Sequence, residues 1–536
     1  NDINNLDPDK KYFVIISKIY GIADPVLNLG IPDRLVKMGY PVIPFYSIPD
    51  TDISENHPNM FWSFGKHILQ SALFIKEHPN VYAILLTHHG CGPDSALIHY
   101  FEEIMEGKPY LNVEVDEHSS RVGVITRVEA FVNSLNNSVT EQTSFQKSIN
   151  RKMISKNTGI HTAIDGLDSE TTFFLPHIYP YSNILSLLLN ARGIRSEILQ
   201  PFTKESYIIG KKHTSSQGSL SFSSHIGSFI QKAENIRKNI STKTAFVIPQ
   251  NEGSELDGQY ARLTRTILDR YGFHDIRIFS PFREDFPDLN ISNEIFLSLL
   301  TGDIIMNAPY FMRSELLNNI NKLIINNSYT ESELLLLSAK IKIAIEETAV
   351  DKSILVIGEY PVLFSDFLNK GILKNLELMN IRILYQPMSE MLLSFWKHYA
   401  ELNPEKISAN YQKNISGFEE LFKKIIVNSE NIFSFDNSIS KINKAADKTI
   451  PYFSGAFGRY RLGKALTAGS RTDGVMAVSS MYENTGVATG IIIKKILREK
   501  GIPYINLTFD GNVNETDSIK TDTFIYYLKN RKSTSA

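Results

Sequence analysis

A single cysteine, Cys91, stands in 536 residues. That excludes an intramolecular disulfide framework and starves any centre that needs several thiolates. Charge of one sign is equally scarce: 56 Lys and Arg face 58 Asp and Glu, for a net charge of −2. Without a basic tract there is no electrostatic footprint for nucleic acid. No apolar run approaches the roughly 18 residues that would span a bilayer, and no signal-peptide pattern opens the chain. Gly-x-Ser-x-Gly, His-Glu-x-x-His and Cys-x-x-Cys are also missing, which removes the commonest signatures of hydrolases, zinc peptidases and dithiol enzymes. The expectation is a globular, cytoplasmic protein with neither a nucleic-acid nor a membrane partner. Its hydrophobic fraction of 42% can bury a large core, and its length predicts three or four domains.

What is present is organised around Leu86-Thr87-His88-His89-Gly90-Cys91-Gly92-Pro93-Asp94-Ser95. An apolar run, Val81 to Leu86, ends there in a glycine-rich turn and gives way to an amphipathic segment. The pattern predicts a buried strand, a tight loop and a helix whose free N–H groups point back at the loop. Ligands collect at the carboxyl ends of strands in parallel α/β sheets, so Cys91 sits where a site belongs. The plainer alternative is a small buried cysteine in an ordinary turn.

Read in order, strands at Tyr12–Ile16, Tyr40–Phe45, Val81–Leu86 and Lys108–Val115 alternate with helices near Gly30–Met38, Met60–His78 and Ser95–Met105. Such alternation predicts a parallel, doubly wound sheet. The pattern returns near the other end. Leu27-Asn28-Leu29-Gly30-Ile31, Leu35 and Met38 are matched by Leu368-Asn369-Lys370-Gly371-Ile372, Leu376 and Met379. Likewise Pro109-Tyr110-Leu111-Asn112-Val113 with Asp116 is echoed by Pro503-Tyr504-Ile505-Asn506-Leu507 with Asp510. A looser third copy has strands at Thr172–Pro176, Ala245–Pro249 and Ile276–Ile278, and a helix over Gly258–Tyr271. The predicted fold class is therefore α/β, with three Rossmann-like modules, parallel sheets flanked by helices, and helical insertions. The modules are expected at 1–140, 171–300 and 353–536. Residues 141–170 would link the first two, 301–352 would be helical, and 389–450 would be a helical insertion. Asn136–Asn157, rich in Asn, Ser, Thr and Gln, reads as a mobile connection.

Several longer motifs then occur together. Tyr82-Ala83-Ile84 leads into Gly90-Cys91-Gly92-Pro93-Asp94-Ser95, followed by Glu103-Ile104-Met105-x-Gly107-Lys108-Pro109-Tyr110-Leu111 and Glu114-x-Asp116-Glu117-His118-Ser119. Gly123-Val124-Ile125-Thr126-Arg127-x-Glu129-Ala130-Phe131, Gly258-Gln259-Tyr260-x-Arg262, Gly463-Lys464-Ala465, Asp473-Gly474-Val475 and Leu507-Thr508-Phe509-Asp510-Gly511 complete the set. Across essentially its whole length the chain resembles the acyl-CoA dehydratase activase-related proteins. These are relatives of the 2-hydroxyacyl-CoA dehydratases and the double-cubane cluster proteins. The resemblance implies iron–sulfur clusters on cysteine thiolates, fed by ATP-driven electron transfer, for dehydrations or low-potential reductions. It also implies ATPase activase domains upstream in one polypeptide, which fits a chain beginning at Asn1 without methionine. A homodimer is kept as a further partner.

The ligands are where this sequence departs from the family. At the expected Cys-x-Pro-Cys the chain reads Ser219-Leu220-Ser221-Phe222. The Gly-Pro-Cys before Gly258-Gln259-Tyr260 becomes Gly253-Ser254-Glu255, and a Cys-Met-Pro-Gly becomes Glu483-Asn484-Thr485-Gly486. The former ligand positions are thus Cys91, Ser219, Phe222, Glu255 and Glu483, and a simple cluster needs about four thiolates. No cofactor is expected. Two functions of different class follow. One is a degenerate homologue that keeps the fold as a scaffold, regulatory or ligand-binding part of a larger protein. The other is an enzyme, a dehydratase-like lyase or an ATP-coupled reductase component, rebuilt around other groups. His88, His89, Glu255 and Glu483 could hold zinc, manganese or ferrous iron if they faced one cleft, although adjacent histidines on a turn usually diverge. Arg459, Arg461 and Lys464, in the run Gly455–Lys464, could hold a phosphate or a coenzyme A tail, but Ala465 replaces the Ser or Thr of a phosphate loop, and the alternative is a structural turn with a solvated basic face. Asp116-Glu117-His118 is either an acid–base cluster or a hydrogen-bonded loop anchor. No catalytic residue is assigned. The old cluster cavity is expected to be repacked, with Phe222 turned inward and Cys91 a free thiol.

Overall fold

The computed structural model describes residues 3, 6–137, 159–164, 169–214, 218–237, 243–253, 255–348, 350, 352–427, 439–450, 457–468, 472–512 and 515–530. They fall into two compact units, Asn1–Thr158 with Ser215–Gly218, and Gly159–Thr214 with Ser219–Ala536.

In the first unit the apolar runs become β1 (Tyr12–Ile16), β2 (Val42–Ile43), β3 (Val81–His88) and β4 (Tyr110–Val115). They form one parallel sheet in the order β2-β1-β3-β4. Phe13, Ile15, Ile84, Leu86 and Val113 share a core with Val124, Val128, Val132 and Leu135 of helix Arg121–Asn137. The spacing of four, four and three on that helix puts its apolar residues on one stripe. Helix Ser63–Glu77 packs on β3 and on helix Gly92–Met105. The latter begins three residues before the expected Ser95, because Pro93 is well suited to a first helical turn.

The second unit holds two sheets. The central one comprises β5 (Ile160–His161), β6 (Thr172–Leu175), β7 (Ser196–Ile198), β8 (Thr244–Val247) and β9 (Arg277–Phe279), ordered β5-β9-β8-β6-β7. The C-terminal one comprises β10 (Lys352–Gly358), β11 (Ile381–Tyr385), β12 (Gly474–Ser480) and β13 (Tyr504–Phe509), ordered β11-β10-β12-β13. All pairings are parallel. Side chains alternate between the faces: Phe173, Leu175, Ala245, Val247, Ile354 and Val356 enter one core that runs through the whole unit. Phe174 and Phe246 enter a second core, and Leu355 and Ile357 a third. Both faces are therefore apolar, as in parallel sheets covered by helices on each side.

The first and third sheets have the same strand order, so each has a crevice where the chain leaves its first strand in one direction and its third in the other. Their first long turns also match. Asn28 Oδ1 accepts from Gly30 N at 2.9 Å, and Asn369 Oδ1 accepts from Gly371 N at 3.0 Å. Both glycines lie in the left-handed region, with φ of 69° and 67°, a conformation that costs glycine little.

The connection expected at Asn136–Asn157 is corrected at its start: Asn136 and Asn137 complete a helix. Residues 138–158 lie outside the described residues. So do 165–168 of the expected linker, whereas Ile160 and His161 belong to β5. The expected helical segments appear as Ser292–Met306, Arg313–Ile325 and Glu331–Glu347 before β10, and as Met388–Leu402, Ala409–Val427 and Ile439–Asp447 within the C-terminal insertion. Among the described residues no helix is long and apolar enough to cross a membrane.

Candidate functional site

The crevice of the first sheet lies between the ends of β1 and β3. Lys18, two residues past β1, places Nζ 2.8 Å from Cys91 Sγ and 2.8 Å from Asp94 Oδ1. Cys91 caps helix Gly92–Met105 at its N-terminus, and Asp94 lies in that helix's first turn. Asp94 also accepts from His88 N at 2.9 Å. Burial alone would raise the Asp94 carboxyl, but the His88 hydrogen bond and the Lys18 charge together hold it below its ordinary value. Burial, then the Asp94 charge, push the Cys91 thiol up in spite of Lys18. Cys91 is a free thiol.

His88 and His89 diverge, as adjacent residues on a turn tend to. His88 Nδ1 is 3.5 Å from Asp94 Oδ2, while the more exposed His89 sits 2.8 Å from Glu114 Oε1. The histidines and the Glu255–Glu483 pair belong to different units, and among the described residues no group of three or more His, Cys, Asp and Glu is arranged to hold a metal. Asp116, Glu117 and His118 form an exposed loop anchor: Asp116 Oδ1 accepts from His118 N at 2.9 Å and from Ser119 Oγ at 2.8 Å.

In the second unit the structure brings together four of the five positions at which the sequence expectation puts cluster ligands. Phe222, Glu255 and Glu483 wall a cleft of about 70 Å³. Ser219 stands behind it, its Oγ 3.2 Å from the Tyr260 hydroxyl. Phe222 is buried near the start of helix Leu220–Arg237, its ring stacked on Tyr260 with centroids 4.3 Å apart. Glu483 caps helix Asn484–Glu499, accepting from Gly486 N at 2.6 Å. Both of its oxygens receive Arg461, at 3.0 and 3.1 Å. Glu255 Oε1 accepts from Thr485 Oγ1 at 3.1 Å. Burial, then the charge of Asp257, push Glu255 up to about 8. Ser254 lies outside the described residues.

Three functional-looking residues at this cleft were not apparent from the sequence. Glu359 directly follows β10, accepting from Ser480 N at 2.7 Å and from the Ser221 hydroxyl. Burial, and then Glu483, raise its carboxyl. Asp257 is bound by Arg283 at 2.5 Å, and Arg283 lies 5.0 Å from the Phe457 ring. The spacing that aligns Asn28 with Asn369 also aligns Lys18 with Glu359, so Glu359 left a signal. Asp257 and Arg283 left none.

Beyond the cleft lies a second cavity of about 180 Å³, lined mainly by apolar side chains such as Leu175, Phe279, Ile295 and Met388, with Arg283 the one charged side chain among the described residues. Pro176, Val247, Pro249, Tyr360 and Phe457 wall both spaces.

The basic run is corrected from turn to helix. Phe457–Ala468 is helical, and Gly455 and Ala456 lie outside the described residues. Its cations are buried against carboxylates: Arg459 with Asp447, Arg461 with Glu483, and Lys464 with Glu390 at 2.6 Å. Each charge is already answered within the fold, so the run presents neither a solvated basic face nor an open phosphate cradle.

No protein-family model and no curated protein matches this chain.

Proposed function

We propose that this chain is a cluster-free relative of the 2-hydroxyacyl-CoA dehydratase and activase-related proteins, a ligand-binding part of a larger protein whose former cluster cleft takes a small organic molecule. One observation carries the reading. Ser219, Phe222, Glu255 and Glu483, where the resemblance places thiolates, converge on one cleft of the second unit, and their side chains are packed and paired there without sulfur. Phe222 gains a stacking partner in Tyr260, and Glu483 gains Arg461. A Phe ring cannot ligate iron, and the Glu483 carboxylate, clamped by a guanidinium and a backbone N–H, already accepts three hydrogen bonds of the roughly four it can take. The shared strand order and the paired Asn28 and Asn369 turns support reading the two terminal modules as copies of one ancestor.

A second reading, an enzyme, is favoured by Glu255 alone: a buried carboxyl pushed up to about 8 keeps a proton near neutral pH and could act as a general acid.

Anaerobic reconstitution with ferrous iron, sulfide and a reductant tests the main reading. After desalting, the full chain is expected to carry no stoichiometric iron and no visible charge-transfer band. A cluster spectrum that tracks iron content would overturn it.

A further inference from the structure

The cleft and the apolar cavity beside it differ sharply in what they need. Into the cleft face Glu255, Asp257, Glu359 and Glu483, while Arg461 is the only cation in its wall among the described residues; Arg283, engaged by Asp257, is the other cation at hand. Four carboxyl groups face two guanidiniums in a buried place, where an unpaired ion is costly, so they cannot all ionise unless a further cation enters. Among the described residues of the wall, two further groups are unsatisfied. Thr264 is only 1% exposed, lines the cleft, and has no hydrogen-bond partner for its hydroxyl. Arg461, also in the wall, has no acceptor for its Nε. Buried polar groups in native proteins are as a rule hydrogen-bonded, so these two leave room for a water or a ligand group to complete the bonding. The neighbouring cavity lacks apolar contacts instead. At about 180 Å³ it exceeds the roughly 150 Å³ that holds benzene in a dry protein cavity.

We propose that the two spaces together bind an apolar molecule carrying an ammonium group, an aralkyl or alkyl amine. The tail fills the cavity walled by Phe279, Ile295 and Met388, and the cation lies among Glu255, Glu359 and Glu483. Thr264 then accepts an N–H from the ammonium or donates to a neighbouring polar atom of the ligand. An anionic ligand is disfavoured, because both guanidiniums are already held by carboxylates. This inference rests on the cleft being a ligand site, and it names the class of ligand.

Calorimetry on the full chain with phenethylamine, phenethyl alcohol and phenylacetate tests it. These probes share one ring and differ in charge. The amine is expected to bind at least about tenfold tighter than the alcohol, since a charge-assisted hydrogen bond outweighs a neutral one in a dry site. Phenylacetate is expected not to bind. Glu255→Gln is nearly isosteric and should erase the preference for the amine. Glu359→Gln repeats the test should the first variant misfold, and Val247→Phe, which fills the shared wall, should weaken the amine and the alcohol together. Phenylacetate binding as tightly as the amine would overturn the ligand class while leaving a ligand cleft in place. Failure of all three probes, or a preference for the amine that survives both Gln variants, would overturn the proposal outright. A reconstituted iron–sulfur cluster would instead overturn the reading of the cleft itself.

Discussion

The crevices of the first and third sheets are built on one backbone plan and filled with opposite chemistry. In each, the residue soon after the first strand faces the residue that caps the helix after the third: Lys18 faces Cys91, and Glu359 lies near Glu483. In the first crevice the lysine finds Asp94 one helical turn on, so a cation and an anion close the site between themselves. In the third both facing groups are acids, and position 486 is Gly rather than Asp. The compensating charge comes from Arg461 on another helix. A switch-point crevice thus fixes where polar groups meet, and the residues at two or three positions decide whether their charges answer one another or draw on another helix.

The sharpest way to break this contrast is to remove each cation. Arg461→Met should destabilise the second unit by about 3–5 kcal/mol, because it strands buried Glu483 and adds to the charge around Glu255 and Glu359. Lys18→Met should cost less, since Asp94 keeps the N–H of His88. Urea denaturation of both variants checks the order, and equal losses would mean that the crevices are balanced alike.

A middle-sized effect follows from protons. Glu255 has an ordinary value of 4.5 that burial and Asp257 lift to about 8 in the folded chain. Between those values the folded state holds a proton that the unfolded state has lost. Its contribution to stability is therefore complete below about 4.5 and falls as pH rises toward about 8. The slope approaches about 1.4 kcal/mol per pH unit for one such group. Comparing wild type with Glu255→Gln across this window isolates it. The variant should show the shallower decline, and parallel curves would contradict the assignment.

The smallest effect concerns the turn that ends each third strand. Gly90 has φ of 75° and Tyr482 has φ of 72°. A Cβ on Gly90 would meet nothing within 4 Å. Gly90→Ala should therefore cost only the left-handed penalty, about 1 kcal/mol, read as a shift in the urea midpoint. No shift at all would mean that the turn relaxes.

Much of this plan is legible in the chain. The period-two apolar runs mark the strands, and Asn-x-Gly at Asn28 and Asn369 marks two matching turns before a helix. The site is half legible. Serine, phenylalanine and glutamate, where the resemblance expects cysteine, point to the cleft, but not to what surrounds it. Arg283 and Asp257 meet only through tertiary packing and carry no local pattern. The basic run misleads for a physical reason. Its glycines suggest a flexible loop, yet a Cβ on Gly463 would lie 2.2 Å from the Ile442 carbonyl oxygen, and one on Gly458 would lie 2.8 Å from Thr485. They are small so that a helix can lie close to its neighbours, and the cations between them point into the protein. Lys423 behaves as its charge suggests, pairing with Glu419 on an exposed helix face.

The apolar cavity also has a mechanical consequence. Space of about 180 Å³ that side chains leave unfilled vanishes when the chain unfolds, so the unfolded state occupies less volume. Hydrostatic pressure then favours unfolding, with volume changes on the order of tens of mL/mol in proteins. Tightly packed regions resist compression, whereas the second unit carries a built-in weakness to it that an occupant would repair. Pressure therefore distinguishes the filled cavity from the vacant one without any knowledge of what fills it.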